Sequence, residues 1–246
     1  MTEVELQLKM PGGMCDAVFI GPDPGAMLPG VLHLPDIGGV REAHRAMAQR
    51  LAAQGYAVLL VNPFYRTGRP PVWEFERKMG QPKTMQRFAE LVEPLTVAAQ
   101  EEDGAAYVAH LKRLSGVRAG MVGVVGYCFT GAMALRTAAA REEEVAAMAS
   151  FHGGGLYKAG ASESPHLVLP QVTARLYFGH ATADKSMTAE QIAELDQALA
   201  VWDGVCESEM YAASHGWTVP DNPAYNEAEA ERAFAKLTEL FAETLR

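Results

Sequence analysis

Cysteine is scarce in this chain and never paired. Cys15, Cys128 and Cys206 stand far apart with no CxxC spacing. An odd count without a secretion signal implies free thiols in a reducing cytoplasm, the expected location. Positive charge is also in short supply: 21 Lys and Arg face 30 Asp and Glu, for a formal net charge of −9. With no basic run, neither nucleic acid nor an anionic membrane surface is expected as a partner. No apolar run approaches the ~20 residues of a membrane-spanning helix. The first residues, Met1-Thr-Glu-Val-Glu-Leu-Gln7, are acidic and alternating, unlike a signal or transit peptide. Repeats, low-complexity tracts and breaks in composition are missing as well. The expectation is therefore one domain over residues 1–246.

What the chain does have is alternation of strand and helix patterns. Val4, Leu6 and Leu8 alternate with polar residues, and Pro11-Gly12-Gly13 predicts a turn into a returning strand at Cys15–Ile20. That hairpin is expected at an antiparallel edge. Buried strands are expected at Gly30–Pro35, Tyr56–Val61, Val122–Val125, Val145–Phe151, Ala174–Phe178 and Val205–Tyr211. Helices are expected near 41–54, 85–92, 95–114, 132–140, 187–199 and 224–245. The fold class that follows is α/β, with a mainly parallel central sheet flanked by helices. Residues 62–84 form the longest irregular stretch, rich in Pro and Gly, and a loop of that size is usually functional.

The stretch Val122-Gly-Val-Val-Gly-Tyr-Cys-Phe-Thr-Gly131 runs from a strand straight into a helix. At such a turn one side chain projects from the sheet as a nucleophile elbow, here Cys128. The unpaired N–H groups at the helix start favour its thiolate, the reactive form. The N–H of Phe129 points where an oxyanion would form. A thiol that attacks an acyl carbon wants a histidine base oriented by a carboxylate. His215 follows the last strand and Asp184 follows the one before it. The order nucleophile, acid, base is that of the α/β-hydrolases. His33, His44 and His110 fall within strand or helix patterns and read as structural or surface residues. His166 and His180 read as loop residues. His152-Gly-Gly-Gly155 has the look of a lipase oxyanion sequence, but it follows the nucleophile instead of preceding it.

Gly126-Tyr-Cys-Phe129, Asp36-Ile-Gly-Gly39, Asn62-Pro-Phe-Tyr-Arg66 and His215-Gly-Trp-Thr-Val-Pro220 together resemble the dienelactone hydrolase family over nearly the whole chain. The resemblance implies an α/β-hydrolase fold and cleavage of a lactone or small carboxylic ester. It implies Cys128 as nucleophile, His215 as base and Asp184 as its orienting acid. It implies an oxyanion hole from the N–H groups of Ile37 and Phe129, and Asp36 as an acid that modulates the thiol. No metal or organic cofactor is implied.

Two departures stand out. Thr130 occupies a position where the family usually has Gly, and Asp36 one where it usually has Glu. The loop after His215 also lacks the family's arginine. Arg66, with Arg69 and Arg77, is thus a candidate anion partner, and Tyr127, Thr130 and Trp217 are candidate pocket residues. An acyltransferase or thioesterase on the same triad, and a non-catalytic ligand-binding or redox-responsive relative, remain as alternatives.

Overall fold

In the computed structural model, which describes residues 1–245, eight strands form one sheet in the order β1-β2-β4-β3-β5-β6-β7-β8. β1 (Thr2–Met10) and β2 (Gly13–Gly21) make the expected antiparallel hairpin at the edge. β3 (Gly30–Leu34) leads through a loop into α1 (Glu42–Ala52), and β4 (Ala57–Val61) follows. After the long loop come α2 (Pro82–Val92) and α3 (Val97–Leu111). β5 (Val122–Tyr127) runs directly into α4 (Phe129–Ala140). β6 (Val145–Phe151), β7 (Arg175–Ala183), α5 (Ala189–Val201), β8 (Cys206–Ser214) and α6 (Glu227–Thr244) complete the chain. All pairings from β4 to β8 are parallel, while β2 joins β4 antiparallel.

Alternation along the central strands explains the layering. Leu32, Leu34, Val122 and Val124 point to the face covered by α3, α4 and α5. Val31, Val58, Leu60 and Val125 point to the face covered by α1 and α6. Both faces are buried, which is why these strands read as continuous apolar runs. A third, smaller cluster joins Ile37, Phe64, Val72, Leu91 and Leu95, with Trp73, Phe88 and Phe129 against it. It fastens the loop at 62–81 and α2 over the carboxyl ends of β3 and β5.

Some boundaries differ from the sequence reading. The helix expected at 187–199 starts at Ala189, because Thr188 and Gln191 form a reciprocal capping box. The last helix starts at Glu227, where Asn226 accepts from the Glu229 N–H at 3.3 Å. The strand expected to end at Phe178 continues to Ala183, held by pairing with β8 as far as Ser214. His180, expected in a loop, is therefore a strand residue, 2% exposed, and neither ring nitrogen has a partner.

Burial pushes the His180 imidazole down to about 4. The unfolded chain binds a proton there near pH 6.5 and the folded chain does not. Stability is thus fully present above pH 6.5 and falls as pH drops toward 4, by about 3 kcal/mol from this residue. Urea unfolding of His180→Leu should show a correspondingly smaller loss of stability between pH 7 and pH 4. An unchanged pH dependence would refute the assignment.

Candidate active site

The site begins with backbone geometry. Cys128 sits between β5 and α4 with φ 58° and ψ −125°, one of two non-glycine residues with positive φ among those described. Its N–H donates to the Phe151 carbonyl at 3.1 Å, and its own carbonyl accepts from Gly131 at 3.1 Å and Gly154 at 3.3 Å. A Cβ on Gly126 would sit 2.3 Å from the Thr130 carbonyl oxygen, and one on Gly131 would sit 2.9 Å from the Gly153 Cα. Both glycines are therefore steric requirements of the turn. Gly153 and Gly154 brace the elbow from behind, which is the structural role of a sequence that only superficially resembles an oxyanion motif.

Three strand ends bring the candidate triad together. Asp184 is the residue after β7 and His215 the residue after β8. His215 Nδ1 lies 2.6 Å from Asp184 Oδ2, and Nε2 lies 3.0 Å from Cys128 Sγ. The Asp184 side chain is 2% exposed and that of His215 30%, so the acid is buried while the imidazole reaches solvent. The other Asp184 oxygen accepts from the Ser186 N–H at 2.7 Å and hydroxyl at 2.6 Å. Burial works against charge on His215, but Asp184 and Cys128 outweigh it and push its pKa up to about 10. Burial likewise opposes the Asp184 carboxylate, yet His215 and Ser186 hold it below the usual range.

The candidate oxyanion side follows from register. Leu34 of β3 is paired with Gly126 of β5, and each chain runs on three residues, to Ile37 and to Phe129. Among the described residues neither N–H donates to another group, and both residues pack against the third cluster. Trp73 Nε1 donates to the Ile37 carbonyl at 2.8 Å and orients that peptide.

Among the described residues no hydrogen bond joins Asp36 to the thiol. Its carboxylate accepts from Arg41 at 2.6 and 3.0 Å and from the Gly38 N–H at 2.7 Å. Nor does it cap α1, whose N-cap is Arg41. Arg41 also reaches Asp221, at 2.6 and 2.7 Å, and so clasps the Asp36 loop to the loop after His215. The Asp36 N–H donates to His44 Nε2 at 3.1 Å. That nitrogen is thereby an acceptor, so the His44 proton lies on Nδ1 and faces His33 Nε2 at 2.9 Å. Burial holds both rings below the ordinary histidine pKa, as a neutral pair requires.

The four expected pocket residues lie elsewhere. Arg66 is bound in two places to the fully buried Asp103 of α3 and stacks over Tyr65. Trp217 is fully buried, stacked on Tyr211. Tyr127 lies on the α1–α6 face, beside His33, His44 and Phe151. Thr130 is wholly buried: its hydroxyl accepts from the Tyr127 N–H at 3.0 Å and points at the Leu34 carbonyl at 2.9 Å. It ties the elbow to the end of β3 instead of facing substrate.

Two residues at the site, Ser186 and Arg41, went unnoticed in the sequence, and His152 reads there only as the start of a lipase-like sequence. Ser186 supports Asp184. His152, with φ 42°, packs its ring 5.1 Å from that of His215 and bonds Thr218 Oγ1 at 2.8 Å. Arg41 joins the two loops. Only Ser186, two residues past an acid at a strand end, carried a local signal. Among the described residues no group of His, Cys, Asp and Glu is arranged to hold a metal ion.

Thr130→Val keeps the shape but strands a buried N–H and a carbonyl. It should destabilise the fold by about 1–3 kcal/mol in urea titrations. Thr130→Ser, which keeps the hydroxyl, should lose much less. Equal losses would mean that the methyl packing matters and the hydroxyl brace does not.

Comparison with known proteins agrees with this architecture. The chain is 28% identical over 216 residues to the carboxymethylenebutenolidase of Rhodococcus opacus, covering 86% of this chain and 79% of that one. It superposes on a dienelactone hydrolase-like promiscuous phosphotriesterase from metagenomic libraries with a TM-score of 0.80 at 20% identity, over 100% of this chain and 99% of that one. Against the dienelactone hydrolase of Anabaena variabilis the TM-score is 0.63 at 19% identity, with the same coverage. These superpositions show an α/β-hydrolase fold. The family model described as the dienelactone hydrolase family matches residues 15–245. The chain belongs to the dienelactone hydrolase family.

Proposed function

We propose that the protein hydrolyses a small carboxylic ester or lactone through Cys128, His215 and Asp184. The observation that carries this reading is His215, bonded at once to Asp184 at 2.6 Å and to Cys128 at 3.0 Å, at the ends of three strands. The family and its carboxymethylenebutenolidase relative support the substrate class.

The thiolate of Cys128 attacks the carbonyl carbon, and charge moves onto its oxygen, where the N–H groups of Ile37 and Phe129 receive it. The tetrahedral intermediate collapses to a thioester, and the alkoxide takes a proton from the His215 imidazolium. In a lactone that alcohol remains attached to the acyl group. His215, now neutral, takes a proton from water as it attacks the thioester. Collapse releases the acid and the thiolate, and the proton rests again on His215. Each step uses side chains, peptide N–H groups and water alone.

The test is turnover of a small activated ester and of a lactone panel. Cys128→Ala should abolish it. Asp184→Asn should lower kcat by about 10⁴-fold, and a histidine NMR titration should show the His215 pKa falling from about 10. Full turnover by Cys128→Ala would move the chemistry away from this thiol.

Substrate charge is the second part of the reading. Arg66 and Arg69 are already paired, with Asp103 and Asp16. Arg77 has no carboxylate within ion-pair distance among the described residues, and its guanidinium lies 5.8 Å over the Trp73 ring that holds Ile37. We assign it to a carboxylate on the substrate. Arg77→Gln should raise KM for a carboxylate-bearing ester with kcat little changed, and leave KM for the uncharged analogue as it was. Equal effects on both would remove Arg77 from substrate recognition.

A further inference from the structure

Between α1 and α6, on the sheet face away from α3, α4 and α5, the fold leaves a cavity of about 130 Å³. Met47 and Leu51 of α1, Phe151 of β6, and Ala233, Phe234 and Leu237 of α6 form much of its apolar wall. Cys128, Asp184 and His215 do not line it. An apolar cavity of about 150 Å³ holds one benzene molecule, so this space suits a single ring of ~6–8 heavy atoms.

Its polar groups narrow the ligand further. Tyr127 lines the cavity and is 4% exposed. Its ring is fixed by His33, His44 and Phe151, while its hydroxyl bonds to no group among the described residues. Burial pushes that phenol up, so it stays a donor. The hydroxyl oxygen is not sealed off: it opens onto the cavity, free to donate to an occupant. A trapped water would need 2–4 polar partners. The wall offers few: the Thr218 hydroxyl already bonds His152 Nε2 at 2.8 Å, and Tyr225 stands at the exposed margin. Arg50 stands at the rim, but its charge is matched: it donates to both oxygens of Glu231 and lies 3.8 Å over the Phe234 ring. An anionic ligand would find no free cation there.

We propose that this cavity is a binding site for a neutral single-ring molecule with one hydrogen-bond acceptor. The ring lies between α1 and α6, and the acceptor accepts a hydrogen bond from the Tyr127 hydroxyl. The site is separate from the thiol, and its occupancy does not depend on what Cys128 hydrolyses. An occupant touching Thr218 is linked through His152 to the ring of His215.

Calorimetric titration with cyclohexanone tests this, with cyclohexanecarboxylate as the anionic comparator. The ketone should bind saturably and more tightly than the anion. Tyr127→Phe should weaken it about tenfold, the loss of one hydrogen bond. Ala230→Phe, which fills the cavity from α6, should abolish binding, with circular dichroism and melting confirming the fold. Alkylating Cys128 with iodoacetamide should leave ketone binding intact. Absence of saturable binding, equal affinity in Tyr127→Phe, tighter binding of the anion, or loss on alkylation would each overturn the proposal.

Discussion

A residue with a β-carbon at φ 58° and ψ −125° costs on the order of 1–3 kcal/mol, and Cys128 keeps that conformation only because its surroundings fix it. Hydrogen bonds from Gly131 and Gly154 hold its carbonyl, and the Phe151 carbonyl holds its N–H. Gly126 and Gly131 let α4 approach the end of β5 and the loop after β6 at distances no side chain would allow. Thr130 ties the same turn to β3. The strained backbone aims the sulfur at His215 and turns the Phe129 N–H outward. Loosening any one of these supports would blur the positions of the sulfur and of the Phe129 N–H together.

The second constraint is alignment among strand ends. Parallel pairing from β3 through β8 places residues 36–38, 128–129, 184–186 and 215 along one rim of the sheet. Contacts between the loops then lock the rim laterally. Arg41 spans Asp36 and Asp221, Trp73 holds the Ile37 carbonyl, and Gly155 donates to the Ser186 carbonyl at 2.9 Å. Asp36, read as a thiol-modulating acid, serves here through its contact with Arg41. Its shorter side chain turns back along its own loop and accepts the Gly38 N–H.

The sheet, the elbow and the succession of Asp184 and His215 were legible because each depends on local pattern: apolar runs, glycines flanking a thiol, polar residues at strand ends. What was not legible depends on distant partners. Arg66 reads as a free cation in its loop, and only packing against α3 puts Asp103 beneath it, 37 residues on. The end of β7 was missed because Gly179-His-Ala-Thr-Ala183 has weak strand preference, and pairing with β8 overrides it. Tyr127 was partly readable. It lies two residues after Val125 and shares that residue's sheet face, away from α4.

Around the site lie four buried or half-buried histidines, and the structure lets only one of them carry charge. His33 and His44 satisfy each other only as neutral rings, since His44 must accept the Asp36 N–H. His152 is held far below the ordinary value, first by burial and then by the neighbouring charge of His215. A second imidazolium 5.1 Å from the first, in a poorly solvated corner, would face both desolvation and repulsion. His215 escapes this because a carboxylate lies 2.6 Å from one of its nitrogens and a sulfur 3.0 Å from the other. The neutrality of its neighbours thus leaves the mobile proton on the imidazole that touches Cys128.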